Sequence, residues 1–338
     1  MIETTLKVKY EQTPSTIAQA LHALVQHTDK ADLSLSEVMG YTSHAFRINV
    51  RAHSIETDSI YSFHGGPALE RNLTALGFKP LILCPPVKTI TPELLAKLID
   101  TIRERLRQGF PIVGWDLLAK EFGIIYGFDD SKGIFLVKDS AREGVIPYHE
   151  LPNRKIICLA TVEESLATDR KTMLMHALDA IIEHAYSRDG LSFLNLQSGL
   201  QGYEAWIEAL ISGDKISNKG NAFNLHVISD ARSHAAKFLE IVSDEWTASP
   251  YNNTEIGRLA LYAAAHYANV AERLAEMKTI YPYPINKKSA SPRLKDDNNL
   301  RSIEILKQAM EEEKKGIILL QEMRSALSTL NHSMIASE

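Results

Sequence analysis

The amino-acid sequence predicts an α+β fold for its N-terminal half and an all-α domain for the remainder. Three observations lead to this prediction. Apolar residues recur at helical spacing in two early segments, 14–28 and 92–108. Short apolar runs follow from residue 111, with connections too short for the crossover helices of a parallel sheet. Strand signals stop near residue 164, and helical periodicity continues from there.

The N-terminal helices are predicted from periodicity and capping. The first covers 14–28, where Ser15 or Thr16 can cap the free N–H groups of PSTIAQALHALVQHT. A second is predicted around 67–76, and the strand-like KPLILCPP follows it. Residues 92–108 place their apolar side chains on one stripe opposite Lys, Arg and Glu, which is typical of a surface helix.

Five apolar runs predict the antiparallel strands: PIVGWDL, EFGIIYG, GIFLVKD, VIPY and KIICLAT. The second and third runs flank the turn YGFDD, so they predict a β-hairpin that begins at Glu121. Helices that precede an antiparallel sheet indicate a segregated α+β domain rather than a doubly wound one.

The C-terminal half is predicted to be a helical bundle, with helices over 170–187, 200–212, 221–243, 254–277 and 299–330. The polar, proline-bearing YPYPINKKSASPRLKDDNN between the last two is typical of an exposed connection. The predicted domains are therefore 1–162 and 163–330, followed by a tail at 331–338.

Composition and charge limit the partners and the compartment. The chain has 338 residues and a net charge of −5 without a basic stripe, so nucleic acid is not expected as a partner. No stretch approaches the roughly 18 apolar residues of a membrane span and no signal peptide is evident, so we expect a cytoplasmic protein without a membrane partner. Cys84 and Cys158 are expected to be buried structural thiols, and no cofactor is expected.

The segment GFPIVGWDLLAKEFGIIYGFDDSKGIFLVKDSAREGVIPYHELP resembles the part of papain-like bacteriocin-processing peptidases that carries two catalytic residues. It is also similar to the related N-terminal domain of the butirosin biosynthesis protein H family, in which a segment like GYTSHAFRI follows the first helix. The resemblance covers about residues 1–160. It implies a papain-like fold with a helical domain behind it, a cysteine nucleophile on the first helix, a histidine base on a strand, and an orienting Asp or Asn.

The match departs from the family at the two residues that perform the chemistry. Glu121 stands where the histidine is expected, whereas Asp139 matches the orienting acid. The first helix carries no thiol near the position of the nucleophile, only the hydroxyls of Thr13, Ser15 and Thr16. The turn after the base is matched by Tyr126, Gly127 and Asp129. The resemblance therefore implies a degenerate triad without Cys-dependent catalysis.

Two interpretations of these residues remain open. A serine or threonine hydroxyl needs a well-placed base, and glutamate has a reference pKa of about 4.3 against about 6.5 for histidine. Glu121 would therefore act as a base near neutrality only if burial or Asp139 raised its pKa strongly. In the other interpretation, the two carboxylates line a polar cleft or bind the amine of a ligand.

His44 and Arg47 of GYTSHAFRINV are further candidates. Arg47 could hold a carboxylate or a phosphate group, and His44 could supply the absent base from another loop. The alternative is that Arg47 pairs with an acid such as Asp116 or Glu121 at the wall of a cleft.

One helix carries three potential metal ligands, His226, Asp230 and His234, at i, i+4 and i+8. They lie opposite the apolar stripe, so a solvated polar face is favoured and a metal is not expected. The sequence leaves open whether this face meets a cleft or solvent.

The first functional hypothesis is a non-catalytic relative of the butirosin-type acyltransferases. It would bind a small amino- or acyl-bearing metabolite, or a carrier-bound acyl arm, between the two domains. Its ligand-binding residues would be Arg47, Asp116 and Tyr126, beside Glu121 and Asp139.

Two other hypotheses belong to different classes. One is an active acyltransferase, or an amide or ester hydrolase of specialised metabolism, that uses Ser15 or Thr16 with Glu121 or His44 as the base. The other is a protein-interaction module formed by the helical domain. The sequence also allows a homo-oligomer.

Overall fold

The computed structural model describes residues 4–51, 54–58, 60, 63–85, 90–153, 156–193, 195–212, 217–284 and 296–335. The fold is α+β, with an antiparallel sheet in the N-terminal half and long helices at the C-terminal end, as the sequence predicts. The chain divides into a sheet unit, residues 1–38 and 65–169, and a helical unit, residues 39–64 and 170–338. Among the described helices, none has the length and apolar composition needed to cross a membrane.

In the described part of the chain, helices lie before residue 108 and five consecutive strands follow from Ile112, as predicted, but the short strands Thr4–Thr5 and Asn49–Arg51 among the early helices were not predicted. Helix α4 shows how the sequence encodes one of the predicted helices: Thr91 accepts a hydrogen bond from the backbone N–H of Leu94 at 3.2 Å, and Pro92 occupies the first helical position. In chain order the elements are β1 Thr4–Thr5, α1 Thr16–Val25, α2 Leu35–Tyr41, β2 Asn49–Arg51, α3 Gly65–Ala75, β3 Phe78–Leu83, α4 Pro92–Arg107, β4 Ile112–Trp115, β5 Phe122–Asp129, β6 Ile134–Lys138, β7 Glu143–Pro147 and β8 Leu159–Ser165.

The sheet has the strand order β3-β8-β4-β5-β6-β7, with each strand antiparallel to its neighbour, and β1 pairs with β5. Strands β5 and β6 form the hairpin predicted from EFGIIYGFDD, with Phe128 opposite Phe135. Both phenylalanines are buried in one core with Ile102 of α4. The hairpin thereby places Glu121 just before its first strand and Asp139 just after its second.

The second half contains α5 Arg170–Ala185, β9 Leu196–Ser198, α6 Gly199–Ser212, α7 Asn218–Thr247, α8 Thr254–Lys278 and α9 Asp296–Ile335. Strand β9 pairs with β2, with Val50 opposite Gln197. This pairing connects residues 39–64 to the helical unit, in which they lie. The predicted domain boundary between 162 and 163 assigns them to the first domain instead. Each of the two strands has only three residues, which is too short for a recognisable alternation of apolar and polar residues. Their pairing is also a contact between residues distant in sequence, which local patterns do not reveal.

Several predicted segments differ in detail. The predicted tail, 331–338, continues helix α9 as far as Ile335, and most of the predicted connection before α9, 285–295, lies outside the described residues. The expectation of two buried thiols is wrong for Cys84, which is exposed at the end of β3, whereas Cys158 is buried.

Candidate functional site

The beginning of helix α1 lies against the beginning of strand β5. The backbone N–H of Phe122 donates a hydrogen bond to Thr16 Oγ1 at 3.2 Å. Ser15, which precedes the helix, donates its backbone N–H to Thr13 Oγ1, also at 3.2 Å. All three hydroxyl-bearing residues are buried. The candidate nucleophile hydroxyls therefore belong to the same unit as Glu121. The hydroxyl of Thr16 is hydrogen-bonded to Phe122, the residue that follows Glu121.

Glu121 and Asp139 form a pair of carboxylates at the open end of the hairpin. Glu121 accepts a hydrogen bond from Ser140 Oγ at 2.7 Å. Asp139 Oδ1 accepts hydrogen bonds from the backbone N–H groups of Ala141 and Arg142, both at 2.9 Å. Asp139 Oδ2 is buried and has no hydrogen-bond partner among the described residues, and Asp139 is 2% exposed. Because burial of an unpartnered carboxylate oxygen is costly, a bound donor at Oδ2 would stabilise the protein.

Tyr10 is a third polar residue of this site, and no sequence pattern indicated it. Its hydroxyl is buried, and no residue that the structure describes forms a hydrogen bond with it. Burial, followed by the negative charges of Asp139 and Glu121, raises the pKa of Tyr10 above its usual range, so the O–H stays protonated. We call Tyr10, Glu121, Asp139 and Ser140 the acidic cluster. It holds one donor and one acceptor that the described residues leave unused.

Burial also affects the ionisation of Glu121. It raises the pKa of this carboxyl above the ordinary value, and the negative charge of Asp139 acts in the same direction. The hydrogen bond from Ser140 opposes both effects because it favours the ionised form. Among the described residues, no Lys, Arg or His side chain forms an ion pair with either carboxylate. The ammonium group of Lys138 lies 5.7 Å from the centroid of the Tyr10 ring, but its ion pair is with Glu143. Within the described ranges, neither carboxylate of the cluster therefore has an ionic partner of its own.

Gly123 allows the two ends of the hairpin to approach each other. A Cβ atom at this position would lie 2.6 Å from the carbonyl oxygen of Lys138 and 3.3 Å from Cβ of Asp139. Any side chain at Gly123 would push the strands apart beside the acidic cluster, so the first glycine of EFGIIYG has a structural role.

The predicted ligand-binding residues Asp116 and Tyr126 lie in the same unit. Asp116 has a φ of 57° and donates its backbone N–H to the carbonyl oxygen of Glu121 at 2.9 Å, so it forms the turn that leads into β5. Tyr126 lies within β5, where its carbonyl oxygen accepts a hydrogen bond from Leu6 at 2.8 Å. Burial, followed by the charge of Glu143, raises the pKa of Tyr126. Their roles in ligand binding stay predictions.

His44 and Arg47 belong to the helical unit, where they lie in a buried network. Arg47 Nη1 donates to Asp189 Oδ2 at 2.8 Å, and Nδ1 of His184 lies 2.9 Å from the same oxygen. Burial, followed by the positive charge of Arg47, lowers the pKa of His44 to about 3 and that of His184 to about 4. Both imidazoles are therefore neutral near pH 7. The acid that pairs with Arg47 is Asp189, which the sequence did not indicate.

The core of the helical unit contains a second charge network that sequence reasoning missed. Arg232 of α7 donates from Nε and Nη2 to the two carboxylate oxygens of Glu313 of α9, at 2.9 and 2.6 Å. Tyr203 of α6 donates its hydroxyl to the same carboxylate at 2.5 Å. Arg232 also donates from Nη1 to the carbonyl oxygens of Ala45 and Arg47. The network joins three helices, and Glu313 is 81 residues from Arg232 and 110 from Tyr203, so no local motif could reveal it.

The three candidate metal ligands on α7 are spread over its polar face. Nε2 of His234 lies 3.7 Å from Oδ2 of Asp230, whereas the ring of His226 stacks on Tyr283 with centroids 5.2 Å apart. Each of the three is partly exposed. Within the described ranges, no group of three His, Cys, Asp or Glu side chains is placed to hold a metal ion.

Comparison with known proteins gives no assignment. No protein-family model matches the chain, and no curated protein matches it significantly. The resemblance to the butirosin biosynthesis protein H family therefore rests on the residues quoted above, and it stays a prediction.

Proposed function

We propose that the acidic cluster binds a small metabolite through a protonated amine, either free or as an aminoacyl group on a carrier arm, without Cys-dependent catalysis. The observation that carries this proposal is the unpartnered, buried Oδ2 of Asp139 next to a second carboxylate, that of Glu121. We also propose a distant relationship to the papain-like butirosin-type domains. The antiparallel sheet and the contact of α1 with β5 support this relationship.

Electrostatics favour a cationic ligand over a neutral or anionic one. The carboxylates of Glu121 and Asp139 repel each other and form no ion pair within the described part of the chain. An ammonium group between them would relieve the repulsion and supply hydrogen-bond donors. The hydroxyl of Tyr10 could donate to an acyl oxygen of the same ligand, because its raised pKa keeps the proton in place. A phosphate or carboxylate ligand would add a third negative charge, and the cluster would repel it.

In the part of the chain that the structure describes, the Ser15 and Thr16 hydroxyls at the start of α1 lack the hydrogen bond to a base that a nucleophile needs. Thr16 Oγ1 already accepts a hydrogen bond from Phe122 N–H. Among the described residues, no hydrogen bond joins the Ser15 or Thr16 hydroxyl to the carboxylate of Glu121, whose bond partner is Ser140. A hydroxyl without a base to accept its proton is a weak nucleophile.

Calorimetric titration with n-butylamine and n-butanol tests the proposal, because these probes differ in charge and have the same n-butyl group. We expect heat of binding from butylamine alone. Asp139→Asn keeps an oxygen that can accept from Ala141 and Arg142, and Glu121→Gln keeps one for Ser140, so both variants should fold. Each should weaken butylamine binding about tenfold or more, since a charged hydrogen bond contributes about 1.5–3 kcal/mol.

Glu163→Gln is the matched control for these variants. Glu163 is also an acid of the sheet unit, but its side chain is 43% exposed and pairs with Lys79 of β3. Its removal should leave butylamine binding unchanged. Equal binding of butylamine and butanol, or equal loss in Glu163→Gln and Asp139→Asn, would refute the proposal.

A second candidate function, hydroxyl-dependent acyl transfer, is favoured by the hydrogen bond between Phe122 and Thr16, which holds the start of α1 beside Glu121. An acylating activity probe followed by mass mapping tests it. Labelling within 13–16 that disappears in Glu121→Gln would support acyl transfer and overturn the proposal of binding without catalysis. Absence of labelling with ester, thioester and fluorophosphonate probes would count against it.

A further inference from the structure

Cys84 and Cys158 face each other at one end of the sheet unit. Strands β3 and β8 are antiparallel, with Leu83 opposite Leu159. Cys84, which follows Leu83, therefore lies opposite Cys158, which precedes Leu159. The two sulfur atoms are 3.3 Å apart, although 74 residues separate the cysteines in the sequence. Residues directly opposite each other in an antiparallel pair have Cα atoms about 4.5–5.5 Å apart, within the range that a disulfide spans.

The two thiols have different surroundings. Cys84 is exposed, and its contact with the sulfur of Cys158, together with the backbone N–H of Leu159, lowers its pKa. Cys158 is 5% exposed, and the contact with Cys84 followed by burial raises its pKa. An exposed, more acidic thiol beside a buried, less acidic one is the arrangement of an attacking and a resolving cysteine.

Helix α3 begins directly against this thiol pair. A Cβ atom on Gly65 would lie 3.2 Å from Sγ of Cys158, and one on Gly66 would lie 3.5 Å from Sγ of Cys84. Glycine at residue 65 leaves space for the sulfur of Cys158, and the positive end of the helix dipole favours a thiolate over a thiol.

We propose that Cys84 and Cys158 form a thiol–disulfide exchange site for low-molecular-weight disulfides. The Cys84 thiolate attacks one sulfur of the small disulfide, forms a mixed disulfide and releases one small thiolate. Cys158 then loses its proton to solvent and attacks Sγ of Cys84, which expels the second small thiolate. Both thiolates released are protonated, so two protein thiols are oxidised and one small disulfide is reduced to two thiols. The site uses none of the residues of the acidic cluster, so it does not depend on the proposed function.

The reduced full-length protein, incubated with mixtures of oxidised and reduced glutathione and then alkylated, tests the exchange. Peptide mapping should find a Cys84–Cys158 cross-link that increases with the fraction of oxidised glutathione. Cys158→Ala should accumulate glutathione on Cys84, because no resolving thiol is present, and Cys84→Ala should leave Cys158 unmodified. A stable glutathione adduct in the wild type without the cross-link, or an adduct on Cys158 in Cys84→Ala, would overturn the proposal.

A measurement on the wild-type protein keeps the test independent of how the variants fold. The fully reduced protein is treated with limiting iodoacetamide, and the rate of alkylation is followed separately at each cysteine. Cys84 should react at least about tenfold faster than Cys158, because alkylation requires an accessible thiolate. Equal rates, or faster reaction of Cys158, would contradict the assignment of the two roles.

Discussion

Replacement of Glu313 by glutamine should destabilise the helical unit by about 3–5 kcal/mol, the cost of removing one partner of a buried ion pair. The substitution preserves volume but removes the charge that neutralises Arg232, which is 0% exposed. The new amide oxygen can accept one of the two guanidinium hydrogen bonds, at 2.9 and 2.6 Å, whereas the amide NH2 group faces the other donor. A buried, uncompensated guanidinium therefore remains.

Urea unfolding followed by tryptophan fluorescence measures this cost. Trp206 and Trp246 are buried in the helical unit, and a Trp115→Phe background removes the signal from β4. Glu311→Gln is the matched control on the same helix: this carboxylate is 60% exposed and pairs with Lys314. Because exposed ion pairs contribute at most about 1 kcal/mol, the control should change stability little.

The double variant Arg232→Gln/Glu313→Gln separates charge from packing. It leaves no buried charge at these two positions, and its amides can donate to the carbonyl oxygens that accept from Arg232 in the wild type. It should therefore cost less than the sum of the two single substitutions. Strict additivity, or a cost below about 1 kcal/mol for Glu313→Gln, would refute the reasoning.

Three further predictions concern stability. The free energy of unfolding should fall as the pH is lowered from about 6.5 to about 4. In the folded protein His44 and His184 have pKa values of about 3 and about 4 and stay neutral over this range, whereas in the unfolded chain both bind protons. Unfolding curves that coincide across this range would contradict the prediction. Gly40→Ala should cost about 1–3 kcal/mol or more, since the new Cβ would lie 2.1 Å from a phenylalanine ring of α7, and an unchanged melting temperature would disprove this. Oxidation of Cys84 and Cys158, 74 residues apart, should stabilise the sheet unit by up to about 4 kcal/mol, which unfolding with and without reductant compares.

Features encoded by local periodicity could be predicted from the sequence. Helix α4 buries Leu98, Ile102 and Leu106 at helical spacing, and its cap and first proline mark where it begins. The β5–β6 hairpin follows from two apolar runs around one turn. The proximity of Glu121 and Asp139 follows from that hairpin, because its two strands must bring their outer ends together.

Features that depend on pairs distant in sequence could not be predicted. Cys84 meets Cys158 only because β3 and β8 are neighbours in a particular register, and their spacing contains no redox motif. Tyr10 precedes the first helix in a polar stretch, where nothing marks a residue that approaches the hairpin. Arg232 lies among the candidate metal ligands of α7, and only its burial against α9 reveals its role in the core.

Titration of the Glu121 carboxyl by carbon NMR, with and without n-butylamine, tests the central claim most directly. In the free protein its pKa should lie above that of an ordinary glutamate, because burial and Asp139 disfavour the ionised form. Butylamine should lower this pKa, since an ammonium group favours the carboxylate, and n-butanol should not. Binding should correspondingly strengthen as the pH rises through the pKa of Glu121. An identical titration curve with both probes would contradict the account of the acidic cluster as an amine site.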